Sequence, residues 1–334
     1  MATIREVAEL AGVSISTVSH VINETRYVSP SAKARVMDAI QRLNYHHNRL
    51  ASSLRNQKTH TIGVLLPNNA NPFFAKILTG IETACYTSGY NFIMGNANDD
   101  PERELSYLRV LLSKQVDGVL LISTGADDAA LHLMTERKVP LVLVDRAGTE
   151  QADIIHTDNR QGGQLATDYL IRLGHRRIAC ITGPSFLTPS SERIIGYEQT
   201  MQEAGLPVRD EWIITGDFHQ ESGYQAIQQL LKLDELPTAI FACNDLMALG
   251  VLCGLHEAGL SVPDDISLIG YDDIQMASYS VPRLTTIRQP SEELGQLAVE
   301  RLVERLDNPQ APFQQDVLSV HLITRQSCRL IAEN

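Results

Sequence analysis

Residues 3–23 constrain this chain most, because they have the pattern of two short helices joined by a tight turn. Thr3 and the glutamate three residues later form the capping box of a first helix. Gly12 ends that helix, since glycine enters the left-handed conformation without steric cost. Ser14 is a side-chain cap for a second helix at residues 15–23. The pattern predicts a helix-turn-helix, although an ordinary helix pair has the same local signals.

The second helix is the predicted recognition helix, because one of its faces carries small or polar side chains suited to base edges and phosphates. These are Ser16, Thr17, Ser19 and His20, and Ile15 adds an apolar side chain to the same face. Ser29 and Pro30 then cap a third helix that ends near Asn44, and three such helices make a bundle of about 45 residues.

A short basic segment follows this predicted head. Residues 48–57 are too few to hold a helix alone in water, but they carry Arg55 and a leucine pair, Leu50 and Leu54, one turn apart. These features suit a hinge helix that folds only in the minor groove and inserts a leucine between base pairs. A polar linker is the alternative.

The distribution of charge is compatible with DNA binding, although the net charge of the whole chain is −12. Residues 1–60 hold eight Lys and Arg against four Asp and Glu, so the surplus of acidic residues lies entirely in the remainder. A basic head on an acidic body confines the attraction for phosphates to the head.

The five cysteines, at positions 85, 180, 243, 253 and 328, have neither paired nor metal-binding spacing. We expect small core residues in a reducing compartment, with no cofactor and no metal. Since there is also no signal-peptide pattern and no long apolar run, we expect a cytoplasmic protein that does not contact membranes.

From residue 61 onward, strand-like runs alternate with amphipathic helical segments. The predicted strands are 61–67, 91–96, 117–123, 140–145, 177–183, 212–217, 238–243, 266–272 and 284–288. This alternation predicts an α/β core of parallel sheets with helices on both faces, and so many units indicate two lobes. Ligands of such folds bind beyond the carboxyl ends of the strands.

Aromatic, carboxylate, amide and arginine side chains follow these strands. They are Asn71, Phe73, Phe74, Asp145, Arg146, Arg193, Phe218, Asn244, Asp272 and Gln289. Aromatic rings can cover the C–H faces of a hydroxyl-rich ring while the polar groups bond its hydroxyls. Individually each residue has a structural alternative: a core position for the phenylalanines, and turn or cap positions for the polar residues. Together they predict a sugar site.

Two other classes of protein fit less well. An enzyme is disfavoured because the sequence has no dinucleotide-binding, P-loop, nucleophile-elbow or zinc-protease motif. A transport receptor is disfavoured because the chain has an added head and no signal peptide.

The ordered motifs, among them VAELAGVSISTVSHVIN, NPFF, GHRRIACITGP and VPDDISLIGYDD, resemble the lactose-repressor family of bacterial regulators. Within the family the chain is most similar to the ribose and purine repressors. The resemblance implies a homodimer that binds pseudo-palindromic double-stranded operator DNA and has a core like periplasmic sugar-binding proteins. The implied DNA-binding residues are Thr3, Ser14, Ile15, Ser16, Thr17, Ser19, His20, Asn23, Tyr45, Ala51, Leu54 and Arg55.

The resemblance also implies the domain boundaries. We expect a head at 1–47, a hinge at 48–60 and a core at 61–334. Within the core, the lobe nearer DNA would comprise 61–160 and 291–321, and the far lobe 161–290 and 322–334. The chain would cross between the lobes three times.

The ten strand-end residues match the sugar contacts of periplasmic ribose-binding proteins, whereas the purine-repressor pattern has a tryptophan at the position of Arg146. We therefore expect ribose as an inducer that releases the operator. A nucleobase corepressor, another pentose and a hexose remain alternatives.

Overall fold

The computed structural model describes residues 2–23, 26–45, 58–122, 128–146 and 151–331. The chain divides between Thr59 and His60 into two compact units. Each unit is described separately below.

The first unit contains three helices in its described part, α1 (Ile4–Ala11), α2 (Ile15–Asn23) and α3 (Pro30–Arg42). The capping box of Thr3 forms as predicted, and Gly12 ends α1 with a φ of 62°. Ser29 caps α3, which ends two residues before the predicted Asn44. The bundle buries the apolar stripes of all three helices, namely Val7, Ala8, Ala11, Val18, Val21, Val36 and Ala39.

The second unit contains two sheets, and its strands are numbered in chain order. They are β1 (Thr61–Leu66), β2 (Asn91–Asn96), β3 (Gly118–Ile122), β4 (Leu141–Val144), β5 (Asp153–Thr157), β6 (Ile178–Thr182), β7 (Ile213–Thr215), β8 (Ala239–Ala242), β9 (Ser267–Asp272), β10 (Thr285–Arg288), β11 (Gln315–Leu318) and β12 (His321–Ile323). The first sheet has the order β11-β5-β4-β3-β1-β2 and the second β12-β10-β9-β8-β6-β7. All neighbours are parallel except β10 and β12.

Helices connect these strands. They are α4 (Pro72–Ser88), α5 (Pro101–Ser113), α6 (Asp128–Arg137), α7 (Asn159–Arg172), α8 (Thr188–Glu203), α9 (Gln220–Leu230), α10 (Asp245–Glu257) and α11 (Ser291–Asp307). We call each sheet with its helices a lobe, the first lobe containing β1 and the second β6. The chain changes lobe after β5, after β10 and between β11 and β12.

Three strands, β5, β11 and β12, are absent from the sequence-based prediction. β11 and β12 lie at sheet edges and expose much of their surface, so they lack the apolar runs that mark the central strands. His321 pairs with Arg288 in the second sheet, although the predicted boundary put it in the first lobe.

The prediction that all five cysteines are core residues is wrong for Cys253. This residue lies on the outer face of α10 and is exposed, because helical spacing turns Val251 and Leu255 inward instead. Cys85, Cys180 and Cys243 are buried, and Cys328 is partly buried.

Candidate functional site

A cavity of about 430 Å³ lies beyond the carboxyl ends of strands from both lobes. Nine of the ten predicted ligand residues line it, so residues from six segments of the chain meet at one place: Asn71, Phe73, Phe74, Asp145, Arg146, Arg193, Phe218, Asn244 and Asp272. The tenth, Gln289, lies directly behind the wall and donates from Nε2 to Asp272 Oδ1 over 2.7 Å.

Arg193 is the central cation of this cavity and is almost fully buried. It lies on α8, which begins at Thr188. α8 packs tightly on α7, since a Cβ at Gly163 would lie 2.1 Å from the Arg193 carbonyl oxygen. The guanidinium donates from Nε to Asn159 Oδ1 over 2.8 Å and from Nη1 to the Cys243 carbonyl over 2.6 Å. These bonds fix its orientation.

Two buried carboxyl groups accompany Arg193. Burial raises the pKa of Asp145 to about 7, against the opposing effect of Arg193. Burial likewise raises the pKa of Asp272 to about 6, with Arg193 again opposing. Burial by itself would lower the pKa of Arg193, but Tyr271 and the two carboxylates raise it above its ordinary value. The arginine therefore stays charged, and the carboxyl groups titrate near neutral pH.

Asp145 has an unsatisfied acceptor. Its Oδ1 is buried, and no hydrogen-bond partner for that atom exists among the described residues. An unpaired buried acceptor costs about 1–3 kcal/mol, so a ligand that donates a hydrogen bond here recovers that free energy. A hydroxyl is a donor of this kind.

The backbone is strained at four cavity residues. Asp99, Asp145, Phe218 and Asp272 have φ values of 57°, 56°, 68° and 108°, which non-glycine residues rarely adopt. Such conformations cost about 1–3 kcal/mol each and occur preferentially where a site dictates the direction of a side chain. The strain therefore supports a functional role for this edge of the fold.

Two asparagines in the wall also cap helices. Asn71 Oδ1 accepts from the Phe73 amide over 3.0 Å at the start of α4. Asn244 Oδ1 accepts from the Met247 amide over 2.9 Å at the start of α10, while its Nδ2 donates to the Phe218 carbonyl over 2.8 Å. These hydrogen bonds hold both asparagine side chains at the edge of the cavity.

The predicted phenylalanines form an apolar wall. The rings of Phe73 and Phe74 meet edge to face, with centroids 5.1 Å apart. Phe73 is 3% exposed and belongs to the core as well as to the cavity. The Phe218 ring lies 5.9 Å from the Arg193 guanidinium carbon.

Arg146 lies between this cavity and a second one of about 230 Å³. The second cavity is lined by residues at the first crossing between the lobes, including Thr157 and Asn159. Thr157 Oγ1 donates to Gln289 Oε1 over 2.5 Å, so the two crossings next to the cavity are bonded to each other.

Sequence reasoning missed several polar residues of the cavity wall: Asn68, Asp99, Asp217 and His219. Each follows a strand by two to four residues, so the signal that found Phe218 was also present here. The predicted set contains no residue after β2 and only Phe218 after β7.

In the head, the N-terminal end of α2 carries a cluster of hydroxyl groups. Ser14 Oγ accepts from the Thr17 amide over 3.1 Å and lies 2.7 Å from Ser16 Oγ. Ile15 and Ser16 are exposed, and Thr17, Ser19 and His20 are half-buried. Hydroxyl groups at a helix N-terminus are suited to phosphate oxygens.

The remaining candidates of the head have other surroundings. Thr3 is exposed, but its hydroxyl caps α1. Tyr45 is half-buried against the core of the head, and Asn23 is the last residue of α2. Ala51, Leu54 and Arg55, with the predicted hinge, lie outside the described residues.

Comparisons with known proteins agree with this architecture. Residues 3–48 match the profile of bacterial regulatory proteins, lacI family, and residues 167–328 match the periplasmic binding protein-like domain. The ribose operon repressor of Escherichia coli K12 is 45% identical, with 98% of this chain and all of that protein covered. The repressor PurR of Photorhabdus laumondii is 42% identical, with 98% and 97% covered.

Among solved structures, a lac repressor dimer bound to operator and to the anti-inducer ONPF superposes with a TM-score of 0.89. It is 31% identical, with 98% of this chain and 99% of that chain covered. Together, the head and the two-lobed core define a DNA-binding transcriptional repressor rather than an enzyme. The chain belongs to the lacI family of bacterial regulatory proteins. Within the described residues, no helix is long and apolar enough to span a bilayer.

Proposed function

We propose that this repressor binds a two-fold symmetric operator as a homodimer and is released from it by ribose or a closely related sugar. The observation that carries the effector proposal is the unsatisfied Oδ1 of Asp145 beside the buried Arg193. A ring with several hydroxyls supplies a donor to the carboxylate and acceptors to arginine, while its C–H faces contact phenylalanine rings.

We propose the ten strand-end residues as the effector contacts, with Gln289 acting through Asp272. The 45% identity to a ribose operon repressor supports ribose. The 42% identity to PurR supports a nucleobase as the alternative. Arg146 favours the sugar, since a purine would need an apolar or aromatic surface there, whereas a guanidinium presents a rigid set of donors.

We propose that the exposed end of α2 reads the operator DNA. The proposed DNA contacts are the twelve residues of the head and hinge that the sequence analysis gives. For the core we propose boundaries near residues 160, 290 and 320, where the chain changes sheet.

Exposed apolar side chains support dimerisation, because Tyr279 and Val281 of the second lobe are 77% and 93% exposed.

The proposed switch has two states. A sugar that binds the closed core better than the open core shifts the population of the core, and the hinges of the dimer respond to the changed spacing of the first lobes. Repression then requires the ligand-free state, as expected for an inducer.

The test is calorimetry of the full chain with ribose and with hypoxanthine, in parallel with operator binding in the presence of each. We expect ribose to bind and to release the operator, and hypoxanthine to do neither. Arg146→Ala should lose the response to ribose and retain operator binding. Tight hypoxanthine binding that strengthens operator affinity would overturn both the effector and the direction of the switch.

A further inference from the structure

Three polar residues meet at the mouth of the cavity, where they connect the two lobes. Asn68 follows β1 and Asp99 follows β2, so both belong to the first lobe, whereas His219 directly precedes α9 in the second lobe. Asn68 Nδ2 donates to Asp99 Oδ2 over 2.7 Å and lies 3.1 Å from His219 Nε2. His219 Nε2 lies 3.8 Å from Asp99 Oδ2.

The directions of these hydrogen bonds are mutually consistent. Asn68 Oδ1 accepts from the Ala70 amide over 2.9 Å, which fixes the side-chain amide with its nitrogen facing the other two residues. His219 Nδ1 lies 2.9 Å from the Asp217 carbonyl oxygen and must donate to it. In the neutral ring Nε2 is then the acceptor, and it can accept from Asn68.

This bridge is not needed to hold either lobe together. The side chains of His219 and Asp99 are 45% and 46% exposed, and the His219 side chain does not cap α9. Truncation of the His219 ring therefore leaves both sheets and the start of the helix intact. What it removes is the contact between the lobes and one local hydrogen bond, from Nδ1 to the Asp217 carbonyl oxygen.

We propose that Asn68, Asp99 and His219 determine effector affinity by holding the cavity closed, without replacing the sugar contacts deeper inside. The proposal rests on the proposed function in that it assumes an effector in this cavity. A second contact between the lobes runs from Lys76 Nζ to the Asp273 carbonyl oxygen over 2.7 Å, and we call the arrangement with both contacts closed.

The expected size of the effect follows from population arithmetic. The apparent affinity of a ligand decreases in proportion to the fraction of protein in the competent state. Loss of one partly exposed hydrogen bond between the lobes should lower the closed population, and with it the affinity for ribose, by about fivefold. Since the bridge forms only on closure, the loss should appear mainly as faster dissociation.

The experiment measures closure both without and with ligand. Spin labels on the exposed Cys253 of the second lobe and on Glu82→Cys of the first lobe report the distance between lobes in the full chain. Labelled chains are diluted with unlabelled Cys253→Ser chains, so that distances within one chain dominate. Stopped-flow binding of ribose gives the two rate constants.

We expect His219→Ala to shift the ligand-free distances toward the open arrangement and to speed ribose dissociation. His219→Gln should restore both, since its amide can still accept from Asn68. The double variant with Asn68→Ala and His219→Ala should change the distances and the dissociation rate no more than either single substitution does. The matched control is Gln225→Ala, which removes one exposed hydrogen bond within the second lobe, to Glu221 on the same helix, and does not touch the cavity wall.

Unchanged distances and unchanged dissociation in His219→Ala would overturn the proposal, as would an equal effect of Gln225→Ala. If the wild-type chain binds no ribose, the proposed effector is wrong, and the ligand-free distances still decide whether the bridge holds the lobes together.

Discussion

The guanidinium carbon of Arg193 lies 3.7 Å from the centre of the Tyr271 ring, and both residues are buried beneath the cavity. The tyrosine ring covers one face of the guanidinium. The N–H groups at the edge of the guanidinium donate to Asn159 and to the Cys243 carbonyl oxygen. A planar cation is needed for this arrangement, because an ammonium group cannot stack and donate at fixed angles simultaneously.

We therefore expect Arg193→Lys to lower the free energy of unfolding by about 2–4 kcal/mol, because the buried carboxyl groups lose a well-placed partner. Sugar affinity should fall by more than about tenfold, since the donors toward the cavity are lost. Urea unfolding and calorimetry measure the two effects. Arg209→Lys is the control, because Arg209 stacks on Trp212 at 4.5 Å and does not line the cavity. Equal losses in both variants would contradict a special role for Arg193.

The titration of Asp145 predicts that effector binding depends on pH. Its pKa of about 7 means that the empty cavity holds the carboxyl group protonated in mildly acidic solution. A sugar hydroxyl that donates to Oδ1 favours the carboxylate, so binding releases a proton. Affinity should therefore fall by up to about tenfold per pH unit below pH 7. Calorimetry in buffers of different ionisation enthalpy measures the released proton.

Asp145→Asn should remove this dependence and leave a weaker one near pH 6, where Asp272 titrates. The same substitution should affect stability. With its pKa raised from 3.8, Asp145 stabilises the folded chain below pH 4, and this stabilisation is lost as the pH rises through 7. The stability of Asp145→Asn should not show this decrease as the pH rises through 7. Sugar affinity that is constant from pH 5 to pH 8 in the wild type would refute the assignment.

The position of the Phe218 ring depends on Gly183. A Cβ at Gly183 would lie 2.1 Å from Phe218 Cζ, so Gly183→Ala must displace the ring. We expect a loss of stability of about 1–3 kcal/mol and a marked loss of sugar affinity. Gly183→Ala combined with Phe218→Leu should recover stability but not affinity, because space returns while the aromatic face does not. Thermal unfolding measures the stability of both variants, and calorimetry measures their sugar affinity. Full affinity in Gly183→Ala would show that the position of the Phe218 ring is unimportant.

For the head, we expect His20→Ala to relax base preference at one position of each operator half-site, at about 1–3 kcal/mol per base contact. Selection of operators from a random pool measures this preference. Met37→Ala is the control, since Met37 is an exposed residue of α3 outside the predicted contacts. A non-palindromic selected site, or an unchanged one for His20→Ala, would contradict the assignment of α2.

The amino-acid sequence by itself determined the features that depend on near neighbours. The capping box at Thr3, the left-handed Gly12 and the cap at Ser29 were predicted because a helix end is specified by three or four consecutive residues. The central strands were predicted because buried parallel strands are continuous apolar runs. The ten strand-end residues were found by the same local rule, and their role as ligand contacts stays a prediction.

Only the tertiary structure decided what depends on residues distant in sequence. β11 and β12 are edge strands whose few residues acquire a sheet partner only when the lobes assemble. The raised pKa of Asp145 comes from its burial and, to a smaller extent, from Asp272, against the opposing effect of Arg193; no neighbouring residue in the sequence can signal this. The bridge between Asn68 and His219 joins residues 151 positions apart. Such contacts are fixed by how two sheets pack and face each other, and local sequence carries no record of that geometry.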